Sequence, residues 1–136
     1  MAYHSFESLE VWKRGCRLAK AVYQALNGTR DFTLKGQMTR AAVSIPSNIA
    51  EGYERGSQKD FVRFLRIAQG SAAELRTQAY IANSTGLLDD STTTHLVREC
   101  KEIGAMLQGL AKTRSNNIEE PDDAPDSDYF SGFPET

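Results

Sequence analysis

Residues 57 to 86 read SQKDFVRFLRIAQGSAAELRTQAYIANSTG. Phe61, Leu65, Ala68, Ala72, Leu75, Ala79 and Ala82 recur in this stretch at alternating steps of four and three. A helix gathers those positions on one side, whereas a strand would scatter them over both faces. Ser57 is a good N-cap, and Asp60 makes a capping-box-like pair with it, although the box prefers Glu or Gln. Gly86 supplies a residue able to take the left-handed conformation that closes a helix. The stretch therefore predicts a long amphipathic helix with its own start and stop signals.

The same signals recur on either side. Upstream, a first helix is predicted from Ser8 as N-cap, with Glu10 in the opening turn, to Asn27-Gly28. Its apolar residues Leu9, Trp12, Cys16, Ala19, Tyr23 and Leu26 are spaced three and four apart and predict its core seam. A second helix is predicted from about Leu34 to Tyr53 after Thr33, with Leu34, Met38, Ala41, Ile45, Ile49 and Gly52 inward. Pro46 lies inside it and removes one backbone bond, predicting a kink near Ala42 to Pro46 or, alternatively, a break into two helices. Downstream, Asp89 and Asp90 lead into a fourth helix with Leu96, Cys100, Ile103, Leu107 and Leu110 as its seam. Long helices on short connections make sequential neighbours antiparallel, so the expected fold is an all-α, up-down-up-down four-helix bundle.

Composition agrees with that class. The chain has 136 residues, 40% hydrophobic and 25% charged, which suits one soluble domain. No apolar stretch approaches the roughly 20 residues of a membrane span, and no basic region leads into an apolar run, so no membrane association and a cytoplasmic location are expected. Cys16 and Cys100 lack CxxC spacing and are expected to be buried, reduced thiols. Net charge is unevenly distributed: residues 1–114 carry +5 and residues 115–136 carry −7. The expected organisation is a bundle domain over 1–114 and a disordered acidic tail over 115–136. Tyr129, Phe130 and Phe133 in that tail offer a docking motif, the alternative being an inert solubilising segment.

The first helix also carries Val11, Gly15, Leu18, Val22 and Ala25 on an adjacent stripe, and the third adds Phe64, Ile67 and Ile81 beyond its seam. Each buried Val, Leu, Ile or Phe is stabilising by roughly 1.5–3 kcal/mol. Contact between subunits through Val11, Leu18, Val22, Phe64 and Ile67 is therefore expected, the alternative being a wide stripe wrapped into a monomeric core.

Ser44, Asn48, Glu51 and Arg55 on the second helix, with Ser71, Glu74 and Gln78 on the third, make a polar ridge. Glu51 and Glu74 could suggest acid–base catalysis or a metal. His4 and His95, however, do not supply the Glu-x-x-His motifs of a di-iron bundle, so the ridge is read as structural. No nucleophile elbow or phosphate loop is present, and no catalytic site, metal, cofactor or small-molecule substrate is expected. Lys13, Arg14, Arg17 and Lys20 on the first helix, and Lys59, Arg63 and Arg66 on the third, form basic ridges suited to phosphate backbones, the alternative being an ordinary solvated face.

From Gln37 the chain reads QMTRAAVSIPSNIAEGYERGSQKDFVRFLRIAQGSAAELRTQAYIANSTG, and residues 6 to 23 read FESLEVWKRGCRLAKAVY. Over roughly residues 6 to 112, Leu9 to Trp12, Ser44 to Gly52 and Gly70 to Glu74 together resemble the four-helix-bundle proteins of 23S ribosomal RNA intervening sequences, the S23 ribosomal protein family. The linker Arg30-Asp31-Phe32-Thr33 is shorter than the Pro-containing one common in that family, and the acidic tail lies outside the resemblance. The resemblance implies a left-handed bundle assembled as a ring, a homopentamer. It also implies kinship with the accessory variability protein of diversity-generating retroelements, a basic pentameric barrel that binds nucleic acid and a reverse transcriptase. The expected function is a non-enzymatic homo-oligomer presenting basic helix faces to RNA, DNA or a nucleoprotein. The alternative is a protein-binding scaffold without nucleic acid.

Overall fold

The computed structural model describes residues 5–118, whose helices follow the sequence signals closely. A 3₁₀ turn, Phe6–Ser8, precedes α1 (Glu10–Ala25), α2 (Phe32–Glu54), α3 (Gln58–Ser84) and α4 (Asp90–Asn116). They form an antiparallel four-helix bundle, with no strand among the described residues. The acidic tail from Glu119 onward lies outside them, and α4 runs two residues past the expected boundary at 114.

Local chemistry sets the ends. Ser57 Oγ accepts from the Asp60 amide at 3.1 Å and Asp89 Oδ1 from the Thr92 amide at 2.7 Å, each satisfying an orphan first-turn donor. Gly86, at φ +81°, closes α3 in the left-handed region. Two starts differ from expectation. Ser8 belongs to the 3₁₀ turn, where its hydroxyl donates to the Ser5 carbonyl at 2.7 Å, so Leu9 stands at the cap without a side-chain bond. Asp31, rather than Thr33, caps α2 by accepting from the Leu34 amide at 3.0 Å, and Phe32 joins the helix.

The core draws Met38, Ile45 and Ile49 from α2, Phe61, Leu65 and Leu75 from α3, and Leu96, Ile103 and Leu107 from α4. These follow the expected seams. Helix α1 does not. Its buried residues are Val11, Gly15, Leu18 and Val22, the stripe assigned above to subunit contact; of the expected seam Leu26 is buried at the helix end, Leu9, Trp12 and Ala19 pack at the core's edge, and Tyr23 is 53% exposed. The cause is the close seating of α1 on α2: a Cβ at Gly15 would lie 3.3 Å from both Ile45 Cγ2 and Pro46 Cδ. A glycine turned inward lets the backbones approach, which brings Val11, Leu18 and Val22 into the centre. Pro46 is buried in that contact and α2 continues through it as one helix, so the break into two helices does not occur.

Helix α1 packs on α2 and α4, and α3 also packs on α2 and α4, so α1 and α3 occupy diagonal corners.

Candidate functional site

That diagonal separates the basic residues singled out in the sequence. Lys13, Arg17 and Lys20 are exposed on α1, with Arg17 3.3 Å from Glu10. Arg14 instead turns toward α4, where one guanidinium nitrogen donates to Glu99 and Glu102 at 2.8 Å each and the other approaches Met106 Sδ at 3.6 Å. The bonds to Glu102 and Glu99 raise its pKa, fixing it as a structural cation. On α3, Lys59 and Arg63 are half-buried. Arg63 pairs with Asp60 at 3.5 Å and lies over the Phe64 ring at 4.8 Å, and Arg55 lies over the same ring at 5.0 Å. Arg66 donates to Gln108 of α4 at 2.6 Å. The seven residues therefore form two sets on different corners rather than one patch.

The other assignments also divide. Val11, Leu18, Val22 and Phe64, expected between subunits, are buried by their own chain, because α1 and α3 turn these residues toward α2 and the core. Of that set only Ile67 remains open, at 37% exposure. Within the polar ridge, Ser44 and Ser71 hydroxyls meet at 2.8 Å and Asn48 donates to Ser44 Oγ at 2.8 Å, tying α2 to α3. Glu51 pairs with Arg55 at 2.9 Å in solvent, Glu74 is exposed, and Gln78 is buried with Oε1 lacking a partner. Glu51 and Glu74 thus share no enclosed cleft. Among the described residues, no three His, Cys, Asp or Glu side chains gather as a metal site.

A different surface emerges where α3 meets α4. Two adjoining depressions share Lys101. One, of about 330 Å³, is floored by Ala72, Ala73, Gly104 and Ala105, with Arg76 and Lys101 as its cations and Gln69 and Gln108 at one end. The other, of about 350 Å³, is lined by Tyr80, Thr93, Thr94, Val97, Arg98 and Lys101. Neither lining includes a carboxylate. Small residues on both helices make the groove shallow and open its floor. Cys100 lies there; burial pushes its thiol up to about 12, with Arg76 pulling the other way and the Glu99 charge adding to the rise. Arg76, Arg98 and Lys101 make no ion pair with the described residues, unlike Arg14, Arg17, Arg55 and Arg63.

Sequence reading missed Arg76, Arg98 and Lys101 because they belong to no single-helix ridge. The usable signal was the pairing of α3 with α4: small residues at 72, 73, 104 and 105 mark where two helices leave a trough between flanking cations.

A solved structure from Bacteroides thetaiotaomicron, described as a protein of unknown function from the S23 ribosomal protein family, has the same fold. It is 24% identical, with a TM-score of 0.71, and the match covers 75% of this chain and 98% of that one. No curated protein matches the chain. The model of the 23S rRNA-intervening sequence protein family matches residues 7–109, which takes in the whole bundle up to the last two turns of α4 and leaves out the acidic tail. By fold and by sequence, this chain belongs to the 23S rRNA-intervening sequence protein family.

Proposed function

We propose that this protein is a non-enzymatic, cytoplasmic homo-oligomer, a pentameric ring, that holds the phosphate backbone of nucleic acid or of a nucleoprotein along the groove between α3 and α4. The observation that carries this reading is a trough lined by Arg76, Arg98 and Lys101 and by no carboxylate. Arg98 also borders a depression with Asp90, but none of the three cations forms an ion pair with a described residue; such cations concentrate positive potential and release counterions from a polyanion on contact. Tyr80, 53% exposed at one end, offers a stacking face for a base. The exposed Lys13, Arg17 and Lys20 of α1 add a second, weaker attraction.

Assembly is supported by apolar surface left open on helices that do not touch. Tyr23 is exposed on α1, and Ile67 and Ile81 are exposed on α3. Two unlike patches on one chain fit a head-to-tail contact, which closes a ring when the rotation allows it.

Replacing Arg76, Arg98 and Lys101 together with Ala should weaken binding of a fluorescent oligouridylate and flatten the log–log salt dependence by about 2, roughly 0.7 per lost phosphate contact. Absence of binding by the native protein even at low salt would favour the protein-scaffold reading instead.

A further inference from the structure

We infer that the acidic segment after Ile118 is an intrachain occupant of the α3–α4 groove, competing with polyanions for Arg76, Arg98 and Lys101. The inference deepens the groove reading: its regulatory consequence rests on a phosphate chain binding there, although the contact itself does not.

Charge supplies the first argument. Residues 119–136 carry Glu119, Glu120, Asp122, Asp123, Asp126, Asp128 and Glu135 and no base. Near the point where this segment leaves the bundle Lys112 is exposed, but Arg55 pairs with Glu51, Arg63 pairs with Asp60, and Arg114 donates to Gln58 and lies over the Phe61 ring. The groove cations have no such partners among the described residues. A carboxylate-rich chain gains most where cations are not already neutralised.

Reach supplies the second. Ile118 is half-buried against the core at the end of α4, on the helix that forms one wall of the groove. Going back along α4 from Ile118 to Val97 covers about 30 Å at the helical rise of ~1.5 Å per residue. From Ile118 to Phe130 an extended chain reaches at most about 40 Å. A segment that turns back after Asn116-Asn117 can therefore lay its carboxylates past Lys101 and Arg76. It then brings Tyr129 and Phe130 to the depression formed by Tyr80, Val97 and Arg98. That end suits an aromatic ring, having an exposed phenol, an apolar floor and two cations for cation–π contact.

The test compares three full-length proteins: the native chain, one with its seven tail acids changed to the corresponding amides, and one with Tyr129→Ser, Phe130→Ser and Phe133→Ser. Carbodiimide coupling followed by mass spectrometry should join tail carboxyls of the native protein to Lys101 in preference to Lys13, Lys20 and Lys35, with Lys112, the lysine nearest along the chain, as the proximity control. Mixing isotope-labelled and unlabelled chains should leave those links within one chain. Oligouridylate affinity should rise about tenfold in the amide variant at low salt and converge with native at high salt. The aromatic variant keeps the net charge, so a gain there of a few-fold separates a seated segment from a distant charge cloud.

Coupling spread evenly over the lysines, links between chains, or unchanged affinity in both variants would overturn the inference. Lys101 coupling without oligouridylate binding by any of the three would support the intrachain contact and overturn the nucleic-acid reading of the groove.

Discussion

A methyl group at Gly52 would lie 2.5 Å from Phe64 Cβ and 3.3 Å from Phe61 Cδ1, so no side chain fits between α2 and α3 at that point. Because the nearest atom belongs to the stem of Phe64, relief requires a shift of the helix rather than of a flexible end. Gly52→Ala should lower stability by about 1–3 kcal/mol in urea denaturation, the usual range for overpacking. Gly36→Ala, inside the same helix with nothing within 4 Å, should raise it by about 0.5–1 kcal/mol. Periodicity placed Gly52 on the inner face, but the demand for hydrogen there comes from Phe64 and was not visible in α2 alone. Asp89 is held below the ordinary carboxylate range, first by the Thr92 amide. A depressed folded-state value means that its contribution is present above the unfolded pKa and is lost as pH falls through the folded one. Asp89→Ala should therefore melt earlier at neutral pH, and the gap should narrow on acidification in thermal scans. Of the two thiols, Cys16 should alkylate first at mildly alkaline pH. Burial raises both pKa values, but Cys100 is the one pushed up to about 12, and its labelling should await denaturant.

At the level of elements, α3 and α4 were legible because each carries one clear stripe between clear end signals. Helix α1 was not, because its two apolar stripes differ by a single position in sequence and have equal spacing. Neither stripe declares which faces inward; the choice falls to Gly15, which admits Pro46 and Ile45 of α2. Trp12, at the edge, then meets Phe6 edge-on at 5.4 Å and closes that side of the helix against the 3₁₀ turn. On the opposite edge, Arg14 spans α1 and α4 through Glu99 and Glu102. Arg14→Ala should destabilise the protein by about 1 kcal/mol, since it removes paired and partly shielded hydrogen bonds. Comparing the variant and native urea curves at low and high salt checks the assignment, because the electrostatic part should shrink as salt rises.

Across the whole molecule, helix number, order and antiparallel pairing followed from hydrophobic spacing and short connections. The groove did not, since its cations come from two helices and become neighbours only after packing. The proposed ring predicts that Tyr23→Lys and Ile67→Glu each lower the mass in light scattering toward the 15.1 kDa of one chain, whereas Lys13→Glu leaves it unchanged. The diagonal arrangement carries a dynamic consequence. Helix α1 is the shortest of the four and packs less extensively on α2 and α4 than α3 does on the same two helices. Amide protons of α1 should thus exchange with deuterium ahead of those in the other three, opening as a local unit below the free energy of global unfolding. An α1 that peels away would expose Val22 and Leu18 on a freed arm, a form suited to being traded between neighbouring copies.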